Sequence, residues 1–184
     1  MKNSKVEICF IGNAIVDILS KISNETLNKL EIPKGSMQLV DEEYSDKIYK
    51  YIKDPSIISG GSAANTAVGF KSFGGTCSFI GQIGNDKFGD LFSKDLNNSG
   101  VFFKSKNFQS TDKTSKSIIL VTPDAERSMN TFLGASVRFN INSFDKNVWQ
   151  KWSDLSLIFD FVNRSITPIK PKKKDSKRLK FTQL

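Results

Sequence analysis

Between Val6 and Gly100 the chain alternates strand and helix with short connections, and this order limits the possible folds more than any other feature. "VEICFIGNAIVDILSKI" predicts a strand, a break at Gly12-Asn13, and a second short strand. "DEEYSDKIYKYIKD" (41–54) puts Tyr44, Ile48 and Tyr51 or Ile52 on one helical face, and Pro55 ends it. Residues 62–73 read as a helix that follows a glycine pair, and 76–84 as a buried strand. "NDKFGDLFSKDLNNSG" comes next as an amphipathic helix through Phe88, Leu91, Phe92 and Leu96. That order predicts an α/β fold: a parallel sheet with helices on its faces. Two further strands lie within 114–136, joined by the turn Pro123–Glu126. A short helix over 141–152, capped by Asn142 or Ser143, and one more central strand, "LSLIFDFV" (155–162), complete the pattern.

After residue 162 the pattern stops. The segment 163–184 has no apolar periodicity, and no glycine occurs beyond Gly134. From Arg164 onward there are eight Lys and Arg against one acid, Asp175, so this tail carries +7 of the chain's net +8. The body, 1–162, is close to neutral. We therefore expect one domain over 1–162, an unstructured basic tail over 163–184, and no specific nucleic-acid partner. No apolar run approaches the ~20 residues of a membrane span, and the N-terminal apolar run is too short for a signal peptide; a cytoplasmic protein is expected. Cys9 and Cys77 each lie in an apolar run and read as reduced, buried thiols. Histidine is absent, which excludes Ser-His, Cys-His and most zinc chemistry. We assign no metal ligands.

The segment "SGGSAANTA" (59–67) poses the functional question. Gly60 and Gly61 leave the backbone bare next to a helix start, yet no lysine or acid accompanies them. Asp17 lies among apolar and small neighbours, where an ionised carboxylate needs hydrogen-bond donors. It is either a strand-end residue facing water or the acceptor for a ligand's adjacent hydroxyls. Asn65 falls in the first turn of the helix after the glycines, where it either joins Ser62 in a cap or faces the same space as Asp17. Carboxylate, amide and bare main chain together suit a polyhydroxylated, uncharged ring. "GQIGNDKFGD" (81–90) matches neither a P-loop nor a dinucleotide fingerprint and reads as a strand-to-helix turn.

Taken together these stretches resemble the ribokinase-like (PfkB) carbohydrate kinases. "SGGSAANTAVGFKSFGGTCSFIGQIGNDKFGD" is similar to that family's N-terminal signature, "IGNAIVDIL" supplies an early Gly-x-x-x-x-Asp element, and "KGSMQLVDEE" and "ERSMNTFLGAS" resemble its adenosine-kinase-like branch. The resemblance covers about residues 6–140 and implies an α/β sandwich with a small β-sheet lid. It implies an ATP-dependent sugar or nucleoside kinase using Mg²⁺, with Asp17 on ring hydroxyls, Gly60 and Gly61 giving main-chain contact, and Asn65 bonding a further hydroxyl. Asn13, Ile15 and Ser62 would line the nucleoside side, and Arg127 would reach toward the transferred phosphate.

The family's catalytic base lies in a later Gly-Ala-Gly-Asp motif, which no residue after Gly134 supplies. The expectation is a chain carrying the substrate-binding part and lacking the C-terminal catalytic and ATP-binding half, through an early stop or a shifted frame. Such a chain is a kinase by family and inactive alone, or else a non-catalytic remnant or binding module. It should also leave a bare sheet edge after "LSLIFDFV". Phe73, Phe79, Phe88, Phe92, Phe132 and Phe159 should then lack partners.

Overall fold

The computed structural model describes residues 6–103, 109–139, 156–160 and 181–183 of the 184-residue chain. Two sheets organise them. The first is built from β1 (Ile8–Gly12), β5 (Cys77–Ile80), β10 (Ser156–Asp160) and β11 (Phe181–Gln183). It is wholly parallel, in the order β11-β10-β1-β5. Its strand β1 reads as a continuous apolar run because it is paired on both sides and covered by helix. The second sheet contains β2 (Ile15–Lys21), β3 (Met37–Leu39), β4 (Ser56–Gly60), β8 (Ser115–Val121) and β9 (Arg127–Phe132). It is mixed, in the order β3-β9-β8-β2-β4. Strands β6 (Ile83–Gly84) and β7 (Gln109–Ser110) form a small third pair.

The break expected at Gly12-Asn13 is therefore a change of sheet: β1 ends in the parallel sheet and β2 begins in the mixed one. Along β2 the burial alternates. Val16 and Ile18 are fully buried on one face, whereas Asp17 and Leu19 are half-buried on the other. Strand β8 repeats this, with Ile118 and Leu120 buried and Ile119 half-buried. The inner face closes the core with α1 (Asn24–Lys29) and α2 (Glu42–Tyr49), through Leu27, Leu30 and Ile48. The helix α3 (Ser62–Ser72) covers β1 and β5 with Ala63, Ala64 and Ala67, and α4 (Lys87–Asn98) contributes Phe92 and Leu96 to the same cluster.

Helix starts are set by their caps. Asp41 accepts the Tyr44 N–H at 2.8 Å, with Glu42 and Glu43 in the positive first turn of α2. Asp86 accepts the N–H groups of Phe88 (3.1 Å) and Gly89 (2.8 Å) to start α4. A cation cluster then fixes α2 against β8: Lys113 lies 2.7 Å from Glu42 and 3.2 Å from Asp46, and the buried Lys116 pairs with Asp46.

Several expectations need correction. The run 76–84 is two strands, because at Gly81 a Cβ would meet the Gly12 carbonyl at 2.6 Å and the Phe79 ring. Helix α1 and strands β3 and β4 are too short to show periodicity. The edge of β10 is paired by β11, so Phe181–Gln183 of the basic tail form a strand; the rest of 163–184 and the helix expected at 141–152 lie outside the described residues. Cys9 registers with Ser78 and Cys77 with Ile8, which turns the two thiols to opposite faces of adjacent strands, and both are free. Burial pushes the Cys9 thiol up to about 12.

Candidate functional site

Asp17 lies near the start of β2, on the open face of the mixed sheet. Its registered neighbours are Ile58 on β4 and Ser117 on β8, and Ser117 pairs in turn with Thr131 on β9. Ser117 and Thr131 share a hydroxyl–hydroxyl bond of 2.9 Å, so a polar row crosses the sheet beside the carboxylate. Sequence reasoning missed both. The alternation in "TSKSIILVT" was the available signal, since it places Ser117 on the face that Ile119 also occupies.

The glycine pair now has a physical reason. Strand β4 runs antiparallel to β2, with Gly60 opposite Ile15. A Cβ on Gly60 would stand 2.2 Å from Oδ2 of Asp17 and 2.7 Å from Oδ1. At Gly61, where φ is +90°, a Cβ would stand 2.6 Å from the Asn13 carbonyl oxygen and 3.8 Å from Cβ of Ile15. The bare loop thus approaches the Asp17 carboxylate and the Asn13 turn of its own chain. Both positions need glycine, one for space and one also for its left-handed backbone.

Asp17 makes no hydrogen bond or ion pair with the described residues, and burial alone pushes its carboxyl above the usual carboxylate range. Beside it, α3 begins at Gly61 with no side-chain cap, so its first N–H groups are unsatisfied by side chains. The capping arrangement of Ser62 and Asn65 is therefore not formed; both side chains are exposed at this helix start. Asp17, Gly60, Gly61, Asn13, Ile15, Ser62 and Asn65 thus gather at one end of β2. Arg127 does not join them. It begins β9, four residues from Thr131 and two strands from β2, about 16 Å away by strand geometry, and is exposed.

Apolar side chains continue the open face: Leu19, Ile119 and Met129 are half-buried, and Leu39 and Ile58 are 54% and 48% exposed. The arrangement is a carboxylate able to accept from two adjacent hydroxyls, main-chain donors at a helix start, and a flat apolar wall.

"GQIGNDKFGD" (81–90) is the strand-to-helix turn expected, leading from β6 into α4. Asp86 caps α4 and also accepts from the N–H and Oγ1 of Thr114, each at 2.8 Å. Thr114 Oγ1 accepts the Gly84 N–H at 2.9 Å. At Gly89 a Cβ would meet the Gly84 carbonyl at 2.3 Å, so this glycine too is required by close approach.

In structure, the chain is similar to the adenosine kinase from Sinorhizobium meliloti: 35% identity and a TM-score of 0.72, covering 85% of this chain and 47% of that one. A probable sugar kinase from Rhizobium etli CFN 42 gives 35% identity and the same TM-score, with 84% and 46% covered. Adenosine kinase from Anopheles gambiae, at 23% identity and a TM-score of 0.69, shares the fold. Among curated relatives, the fructokinase of Escherichia coli is 32% identical over 101 residues, 54% of this chain and 33% of that protein. The chain thus spans about a third of that relative's length and just under half of the two rhizobial kinases. No helix among the described residues is long and apolar enough to cross a membrane. Residues 35–158, well over half of the chain, match the description "pfkB family carbohydrate kinase", and the two-sheet architecture is that of its relatives: this chain belongs to the pfkB family of carbohydrate kinases.

Proposed function

We propose that this chain forms the substrate-binding part of an ATP-dependent kinase acting on a hydroxyl of a sugar or nucleoside. One observation carries the reading. A half-buried carboxylate without a partner among the described residues, Asp17, lies under two glycines that keep its surroundings clear, beside an uncapped helix start. Two ring hydroxyls donating to Asp17 supply what its burial lacks. Gly61 offers main chain to the ring, Asn65 bonds a further hydroxyl, and Asn13, Ile15 and Ser62 line the adjoining wall.

The open apolar face favours a nucleoside over a free sugar. Leu19, Ile119, Met129 and Leu39 present a surface that a planar base covers and a hexose does not. Similarity to the rhizobial adenosine kinase supports that choice, while the fructokinase relatives support a sugar.

ATP and Mg²⁺ are the donor and metal that the family implies. Among the described residues no three His, Cys, Asp or Glu side chains converge on a metal position, and Arg127 stands away from Asp17. A second reading is that this chain alone binds its ligand without phosphorylating it. Incubation of the purified chain with γ-labelled ATP, Mg²⁺ and adenosine or D-fructose separates the two. Ligand binding without labelled product is expected. Product formation that disappears in Asp17→Ala overturns the binding-only reading and supports the enzyme.

A further inference from the structure

We propose that Asp95 is a positioning residue, which together with Asp86 makes α4 a two-point clamp across the strand that carries Asp17. This role rests on the reading of the Asp17 cleft as a ligand site and adds a device that holds its shape. Strand β2 lies between β8 and β4, and α4 bonds to both of these neighbours. At one end Asp86 holds the start of β8 through the Thr114 N–H and hydroxyl. At the other, Oδ2 of Asp95 accepts the Ser59 N–H at 3.0 Å, on the outer edge of β4.

The spans agree. Asp86 and Asp95 are nine positions apart along the helix, a rise of about 13 Å, and two strand spacings separate β8 from β4, about 10 Å. Both anchor points lie at the same end of the sheet, since Ser115 registers with Ile15 and Ser59 with Val16. Phe92 and Leu96 are fully buried, so the helix that holds the two strands is itself fixed in the core.

The Ser59 bond matters because of its place in the chain. Ser59 immediately precedes Gly60 and Gly61, the glycines pressed against Asp17 and the Asn13 carbonyl. Among the described residues β4 is an edge strand, paired on one side only, by β2. Asp95 supplies the missing restraint by a charge-assisted bond to main chain. It fixes the distance between the loop and the carboxylate, and with it the width of the cleft.

The test compares Asp95→Ala and Asp95→Asn in the full chain. It reads Ser59 amide hydrogen exchange, the thermal midpoint, and calorimetric binding of adenosine and D-fructose. In Asp95→Ala, Ser59 exchange should accelerate at least about tenfold as local opening becomes easier. Affinity for the bound probe should weaken about five- to tenfold, as misplacement of a binding loop implies. The midpoint should move by no more than about 2 °C, because the core is untouched. Asp95→Asn keeps an acceptor and should restore most of both effects. Unchanged Ser59 exchange, unchanged affinity, or no rescue by asparagine overturns the clamp. If the wild-type chain binds neither probe, the proposed function fails, and Ser59 exchange alone decides whether Asp95 restrains the loop.

Discussion

Asp17 and Gly60 form one unit, and each explains the other. Replacing Gly60 by alanine puts a methyl group within 2.2 Å of a carboxylate oxygen in a strand registered on both of its sides. Gly60→Ala should therefore cost about 1–3 kcal/mol of stability as overpacking, and weaken ligand binding by more than about tenfold. Much of the stability loss should return in the double variant with Asp17→Gly, which removes the clash; chemical denaturation of the four-member cycle measures the coupling. Asp17 also predicts a pH dependence. Burial raises its carboxyl pKa in the free chain, and donors from a ligand lower it in the complex. Affinity should be complete above the raised free-state value and decline as pH falls below it, with proton release on binding near that value. Calorimetry in buffers of differing ionisation heat reads the protons; a wild-type Kd that does not vary from neutral to acid pH contradicts this role. The acidic partner was legible in the sequence because a lone aspartate among apolar neighbours is conspicuous. Ser117 and Thr131 were not, since a serine and a threonine in a strand look like any half-exposed polar positions until register places them beside Asp17.

The longer elements were readable because caps and periodicity agree within them. The span expected for α3 differs by one residue at its end, and α4 begins after its Asp86 cap. What the sequence could not show was partnership. Consecutive strands β1 and β2 belong to different sheets, and Asp86, within the expected strand-to-helix turn, also holds Thr114 at the start of β8. Asp86→Ala removes a helix cap and leaves the buried Thr114 N–H unpaired, which should cost about 2–3 kcal/mol in denaturant unfolding. Asp46 gives a second prediction at this scale. Hydrogen bonds from Lys116 and Lys113 hold its carboxyl below the usual range. Its stabilisation is present above the unfolded pKa of about 4 and is lost as pH falls through the lower folded value. Wild-type stability should therefore drop more steeply than that of Asp46→Asn below about pH 4, as acid titrations monitored by circular dichroism would record. Parallel curves would contradict it.

For the whole molecule, the expectation that six phenylalanines lack partners fails for most of them. Phe79 and Phe92 are buried with ring centroids 5.6 Å apart, each also near Phe103, while Phe88 meets Tyr49 edge-on at 6.2 Å. Phe132 lies under the ammonium of Lys116, and Phe73 is nearly fully exposed, at 93%, while the side chain of Phe159 lies outside the described residues. The core that positions Asp17 is thus built from this chain's own residues, through one apolar cluster joining both sheets to four helices. The proposed function requires that these residues hold a nucleoside against Asp17. Its most direct measurement is isothermal titration of the full chain with adenosine, and with an analogue lacking both ribose hydroxyls, against wild type and Asp17→Asn. Wild type should bind adenosine saturably and one to one. That affinity should weaken at least about a hundredfold when either the hydroxyl pair or the carboxylate is removed, as expected when a buried charge-assisted pair loses one side. Binding of equal strength in all four combinations would contradict it.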